Sequence, residues 1–296
     1  MAYSATSSNV PILTNTSQSE NPNQLDLLYF ADFTQAVATT NNGPGIDGTP
    51  FYLNHLSSTI TRSAANTTEY GQSNGHGVLS MDGTSNAGAY QVIQTSGIHT
   101  PGLVQPSSGL ITKYEAETAI FVTNNIYGSG SQYGYFRFGF ANSATSPSDG
   151  VYFQFWVNGV NDPLEGYFVD DAPINTTWNI IWIKDGTNVS SYDTGVLVEF
   201  QKIYQLYLGI EQNAAGNFTT TYSINNKTDS VKTSGTASPS SNSHYPTGTA
   251  DYMSPFWINY GIGAGAGYPG ISPKILMDYI GARIRRPLTR EILLYS

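Results

Sequence analysis

The stretch 133-YGYFRFGFANSATSPSDGVYFQFWVNG-159 holds two aromatic-rich alternating runs around a linker of small and polar residues and one proline. Side chains alternate across a strand, so Phe136, Phe138 and Phe140 share one face of the first run. Tyr133, Tyr135, Arg137 and Gly139 share the other. In the second run Val151, Phe153, Phe155 and Val157 stand opposite Tyr152, Gln154, Trp156 and Asn158. Each predicted strand therefore has an apolar face that reads as core and a mixed face rich in Tyr, Trp, Arg and Gln. The mixed face is an exposed surface with cross-strand aromatic pairs, a shallow ligand platform, or a subunit contact. As a platform it would offer Tyr133, Tyr135, Tyr152 and Trp156, with Trp178, Trp182 and Trp257 harder to place.

Outward from this hairpin the same chemistry repeats. Strand-like runs are 118-TAIFVTNNIY-127, 178-WNIIWIKD-185, 196-VLVEFQKIYQLYLGIE-211, 218-FTTTYSIN-225, 256-FWINYGI-262 and 275-ILMDYIGARI-284. β-Branched and aromatic residues dominate them, and Gly, Asn, Asp, Ser or Pro separate them. Weaker runs lie at 51-FYLNHL-56, 77-GVLSM-81 and 89-AYQVIQ-94, and 25-LDLLYFADF-33 is the first segment that demands burial. Regularly spaced strands with turn chemistry between them predict an all-β antiparallel sandwich or jelly roll. Helix signals are scarce, the best being a turn over 287-PLTREILLY-295 with Pro287 at a first helical position. No repeat of solenoid or propeller period is visible. The preferred division is an extended N-terminal arm over 1–24, polar and punctuated by Pro11 and Pro22, and one β-sandwich domain over 25–296.

Composition narrows the function. Charged residues make up 11% of the 296-residue chain, against about 25% in an average soluble domain. The net charge of -9, from 12 basic and 21 acidic residues, disfavours nucleic-acid binding and anionic membranes, both of which need a basic footprint. A local exception is 281-GARIRRPLTREILLYS-296, where Arg283, Arg285, Arg286 and Arg290 either form surface ion pairs or make an assembly contact. With no cysteine there is no disulfide framework and no thiolate metal site. The first residues lack the basic and apolar regions of a signal peptide, and no apolar run approaches the roughly 20 residues of a membrane span.

Catalytic and metal motifs are thin. The acidic groups in 161-NDPLEGYFVDD-171 (Asp162, Glu165, Asp170, Asp171) and 185-DGTNVSSYD-193 (Asp185, Asn188, Asp193) offer oxygens of the kind calcium takes, without EF-hand spacing. They read more simply as turn residues closed by their own side chains. Glu115 and Glu117 share one face of a predicted strand, as a carboxylate pair of a glycosidase would. A third acid at the same alternation is missing. The match 71-GQSNG-75 around Ser73, followed by His76, lacks the strand and helix of a nucleophile elbow. His55, His76, His99 and His244 are too far apart in sequence for a zinc motif. No cofactor and no metal is expected.

The succession RFGFANS, SDGVYFQFW, NTTWNIIWIKDGTNVSSYDTGV, YQLYLGIE, FTTTYSIN and ILMDYIGARI resembles the concanavalin A-like (laminin G-like) jelly-roll sandwiches that recur in viral and phage structural proteins. The similarity spans roughly residues 115 to 285 and is one of pattern. It implies a jelly-roll β-sandwich. Together with the low charge, the polar arm and the missing signal, it implies a non-enzymatic virion protein: capsid, decoration or tail/spike component, made in the host cytoplasm. Such a protein would assemble as a homo-oligomer with other virion proteins through lateral contacts, tethered by the arm and by Arg283, Arg285, Arg286 and Arg290. The alternative is a carbohydrate-binding or host-receptor module using the aromatic face. A third reading, a glycan-cleaving enzyme, would rest on Glu115 and Glu117.

Overall fold

The computed structural model describes residues 24–31, 51–56, 58–64, 77–83, 89–95, 100–101, 112–122, 133–143, 147–157, 177–199, 201–212, 217–246, 252–262 and 275–287. Side-chain surroundings are described for 113–122, 135–143, 147–155, 177–199, 201–212, 217–246, 256 and 275–285. In chain order the strands are β1 (Gln24–Ala31), β2 (Phe51–Leu56), β3 (Ser58–Ala64), β4 (Gly77–Gly83), β5 (Ala89–Thr95), β6 (Thr100–Pro101), β7 (Thr112–Val122) and β8 (Tyr133–Ala141). They continue as β9 (Gly150–Val157), β10 (Thr177–Lys184), β11 (Asn188–Leu197), β12 (Lys202–Gln212), β13 (Phe218–Asn226), β14 (Val231–Ala237), β15 (Tyr252–Ile262) and β16 (Ile275–Pro287). A 3-10 turn, Asn242–His244, precedes β15.

These strands form two 8-stranded sheets. The back sheet runs β14-β13-β12-β7-β16-β4-β3, with β1 added to β16. The front sheet runs β11-β10-β9-β8-β15-β5-β2, with β6 added to β15. The pairings are antiparallel, from the β8–β9 hairpin to the β7–β12 and β7–β16 pairs that fix the middle of the back sheet.

The apolar faces predicted for the opening stretch meet between the sheets. Phe136, Phe138, Phe140, Val151, Phe153 and Phe155 are buried against Tyr204, Leu206, Leu208, Ile210, Ile280 and Ile284 of the back sheet. Trp178 sits in the middle, its ring centroid 4.9 Å from Phe155, 5.7 Å from Phe136 and 5.7 Å from Tyr204. These contacts are edge-on, the arrangement that ring quadrupoles favour. Beside it the Trp182 Nε1 donates to Thr220 Oγ1 at 3.1 Å, and Thr220 Oγ1 lies 2.9 Å from the Tyr245 hydroxyl. The β8–β9 pairing leaves no room for a side chain at Gly139, where an added Cβ would fall 2.6 Å from the Val151 carbonyl oxygen and 2.7 Å from the Tyr152 Cα.

Three sequence readings change. The run 196–211 is two strands: β11 ends at Leu197, β12 starts at Lys202, and Gln201 turns the chain at φ 56 with its N–H on the Val122 carbonyl. Of the turn residues read over 185–193, those from Asn188 onward lie in strand β11, which carries a local register shift opposite Trp178, and Gly195 takes φ 70. Pro287 is the last residue of β16, and the rest of the turn predicted over 287–295 lies outside the described residues. The segments 1–23 and 288–296 lie outside the described residues, and so does the proposed arm apart from Gln24.

Candidate functional site

The outward face of the front sheet carries the predicted aromatic platform. Register places Trp156, Tyr135, Tyr260 and Tyr90 in one row across β9, β8, β15 and β5. The next row is Gln154, Arg137, Ile258 and Val92, and the one after is Tyr152, Gly139, Phe256 and Gln94. Neighbouring strands lie about 4.8 Å apart, so the aromatic row spans roughly 14 Å. Tyr260 and Tyr90 escaped the sequence reading although alternation within 256–262 and 89–94 carried the signal.

The centre of this face is closed. Tyr135 is 4% exposed and Tyr152 0%, so neither is the open stacking surface expected of it. Arg137, itself 0% exposed, is enclosed with them. Its Nε donates to Gln154 Oε1 at 2.7 Å, and its guanidinium carbon lies 4.0 Å from the Tyr135 ring centroid and 5.3 Å from that of Tyr152. A desolvated guanidinium is stabilised by such ring faces. Tyr152 also meets Phe256 edge-on at 5.6 Å. Tyr133 and Trp156 occupy β8 and β9 on the same face, with side chains outside the described residues.

The outward face of the back sheet holds Glu115 and Glu117, and these too are enclosed. Glu117, 0% exposed, accepts from the Tyr279 hydroxyl at 2.6 Å and from Gln205 Nε2, which also donates to Tyr279 Oη at 3.0 Å. Glu115 accepts from the Tyr207 hydroxyl at 2.6 Å and pairs with Lys113 at 3.0 Å. Burial first, and then the neighbouring carboxylate, push both tyrosines above their ordinary range: Glu115 acts on Tyr207 and Glu117 on Tyr279. The phenols therefore stay protonated as donors. Two donors converge on the Oε1 of each carboxylate, an arrangement that builds structure and differs from a pair of acids facing a glycosidic bond.

The arginines read as tethers belong partly to this layer. Arg283 is 3% exposed and stands across from Glu115 in the β7–β16 register, because β16 is an interior strand with β1 on its other side. That removes Arg283 from the accessible surface. Arg285 is half-buried opposite Lys113 and Asp26. Arg286 pairs with Leu25 in the backbone register, its side chain outside the described residues, as is all of Arg290.

Of the acidic candidates for calcium, only those of 185–193 lie among the described residues, close to Asp149. Asp149 is spent on the corner between β8 and β10: its Oδ1 accepts from the Asp185 backbone N–H at 2.9 Å and its Oδ2 from Asn142 at 3.1 Å and Ser148 at 2.8 Å. Asp193 Oδ1 accepts from the Gly195 N–H at 2.8 Å, the self-closing turn expected of it. Asp185 and Asn188 are exposed, and among the described residues no group of three or more His, Asp or Glu converges on a metal position. Asp162, Glu165, Asp170, Asp171, Ser73, His76 and His99 lie outside the described residues. His55 is on β2, and His244 Nδ1 is 3.4 Å from the Ser240 hydroxyl.

Two antiparallel sheets packed face to face in this strand order define a concanavalin A-like jelly-roll sandwich. Peanut lectin, solved with a nine-residue peptide, superposes with a TM-score of 0.51 at 8% identity, covering 90% of this chain and 100% of the lectin. Lectin II from Ulex europaeus gives 0.46 at 12% identity over 88% and 98% of the two chains. An alginate lyase of Aplysia kurodai gives 0.47 at 10% identity over 88% and 98%. No family model and no curated protein matches the sequence. At these identities the likeness is one of fold.

Proposed function

We propose that the protein is a non-enzymatic carbohydrate-binding module that takes a glycan across the outward face of the front sheet. The observation that carries this reading is the cross-strand row Trp156, Tyr135, Tyr260 and Tyr90. Apolar sugar faces stack on aromatic rings, and with Tyr135 enclosed in the middle of the row the positions left for such contact are Trp156 on one side and Tyr260 and Tyr90 on the other. Tyr135, Tyr152 and Arg137 act as the rigid floor of that surface. Contact falls to the flanking positions Tyr133, Trp156 and Tyr260. Peanut lectin shares the fold, and the Ulex lectin II has been solved with galactose.

The test is a glycan array read with the intact chain and with Trp156→Ala and Tyr260→Ala. Loss of binding by at least tenfold at an unchanged melting temperature supports the reading. Equal binding in all three proteins, or none in any, removes it.

A second reading, a virion structural component displayed on a particle made in the host cytoplasm, is favoured by the charged fraction of 11% and the resemblance to phage and viral sandwiches. In that case the glycan would be a host-surface one, and the two readings meet in a receptor-binding spike. Detection of the chain in purified particles by mass spectrometry tests it.

A further inference from the structure

We propose that β14 is the interface with a second copy of this chain, paired strand to strand and antiparallel about a two-fold axis at Ser234. Among the described residues β14 is hydrogen-bonded on one side only, to β13, with which it pairs from Val231 to Ala237 without a register shift. About half of its backbone N–H and C=O groups therefore point away from the sheet, where another strand satisfies them better than side chains do. The neighbouring edge in the front sheet, β11, is bent by its shift at Gly195 and is a poor template. The bulge that protects β11 has no counterpart in β14, whose one charged residue is Lys232.

The exposed apolar side chains point to the same place. Among the described residues the large exposed hydrophobics are Val231 at 57%, Leu197 at 46% and Tyr192 at 37%, all on these two edge strands. Register sets Val231, Thr233, Gly235 and Ala237 on the core-side face, opposite Asn226, Ile224, Tyr222 and Thr220. Val231 is thus an apolar residue facing the sandwich interior at a corner where nothing in the described chain covers it.

A second copy is the occupant that fits. Opposed residues in an antiparallel pair share a face, so a two-fold pairing must set residue numbers against each other with an even sum. Centring on Ser234 uses the whole strand. It sets Val231 against Ala237, Thr233 against Gly235, and Lys232 against Thr236, with no like charges facing each other. The strand carries no acid in a chain of net charge -9, which makes it a place where two copies meet without carboxylate repulsion. The same axis brings the two β11 edges together, with Tyr192 and Leu197 beside the junction. The contact is small, so the dimer is expected to be concentration-dependent.

Ser234 is exposed and self-opposed, so Ser234→Lys sets two ammonium groups against each other and leaves the fold intact. The expected result by light scattering over a concentration series is a mass that doubles for the native chain and stays single for Ser234→Lys and for Ser234→Asp. An equimolar mixture of the two variants should recover the doubled mass. A native chain of single mass at every concentration overturns the proposal, as does a doubled mass that survives Ser234→Lys or a mixture that stays single. Melting temperatures of the variants within a degree or two of the native chain confirm that folding is unaffected. Glycan binding is read separately, through Trp156→Ala, and its outcome leaves this one untouched.

Discussion

Glu117 and Tyr279 are 162 residues apart in sequence and joined by a 2.6 Å hydrogen bond on the outer surface of the back sheet. With Gln205, Glu115, Tyr207 and Arg283 they form a buried polar layer outside the apolar core. Each sheet of this sandwich is thus enclosed on both faces in its central strands, with apolar packing inside and polar pairing outside.

That layer makes the fold sensitive to alkali. Burial raises the Tyr279 phenol well above its ordinary value of 10.0. A group whose folded value is raised contributes stability that is complete below the unfolded value and lost as pH rises through the folded one. Above about pH 10 the unfolded chain releases a proton that the folded chain keeps, so stability falls by up to about 1.4 kcal/mol per pH unit for this residue. Chemical denaturation at pH 9, 10 and 11 (chosen to bracket the ordinary tyrosine value) should show that decline, and Tyr279→Phe should flatten it. A slope unchanged in Tyr279→Phe would assign the alkaline loss to other tyrosines.

The two core tryptophans should respond differently to the same substitution. Trp178 Nε1 is buried without a hydrogen-bond acceptor among the described groups, whereas Trp182 Nε1 holds Thr220. Trp178→Phe removes an unmet donor along with some ring contact. Trp182→Phe also removes the donor to Thr220 Oγ1 and leaves that hydroxyl with Tyr245 alone, at an added cost of about 1 kcal/mol. Truncation of either to Ala should cost roughly 3–5 kcal/mol. Urea midpoints that rank Trp178→Phe below Trp182→Phe would contradict this assignment.

Gly139→Ala should destabilise the chain by roughly 1–3 kcal/mol, the range of overpacking in a tight interior. The new methyl meets backbone atoms of Val151 and Tyr152, which cannot swing aside as a side-chain end would. Thermal melts compare Gly139→Ala, which adds crowding to a φ of 154, with Gly195→Ala at an open position. Gly195 has nothing within 4 Å of a built Cβ and is strained only by its φ of 70. A Gly139→Ala melt indistinguishable from the native chain would show that the hairpin gives way there.

The sequence was legible where strands are apolar on one face and aromatic on both. Alternation in 133–140 and 151–157 assigned the core side of each residue correctly, since Phe136, Phe138, Phe153 and Phe155 all enter the core. It could not say that the second face is covered too, because period two distinguishes faces without revealing what lies over them. Strand β14, VKTSGTA, went unread because an edge strand needs few large side chains and this one has a single β-branched aliphatic residue. The partners of Glu117 are Gln205 and Tyr279, 88 and 162 residues away, and no local pattern connects them. The aromatic row likewise emerges only once register aligns β5, β8, β9 and β15.

The pairing of β1 with β16 carries a consequence for how the chain is made. Among the described strands β16 follows all the others in the chain, so Leu25 to Tyr29 must wait through the synthesis of everything between before Arg286 to Ala282 arrive beside them. Non-local closure of this kind slows folding and leaves an early strand open to wrong neighbours. Newly made protein should therefore depend on chaperone capacity far more than the finished fold would suggest, and a truncation that removes β16 should release β1 along with it.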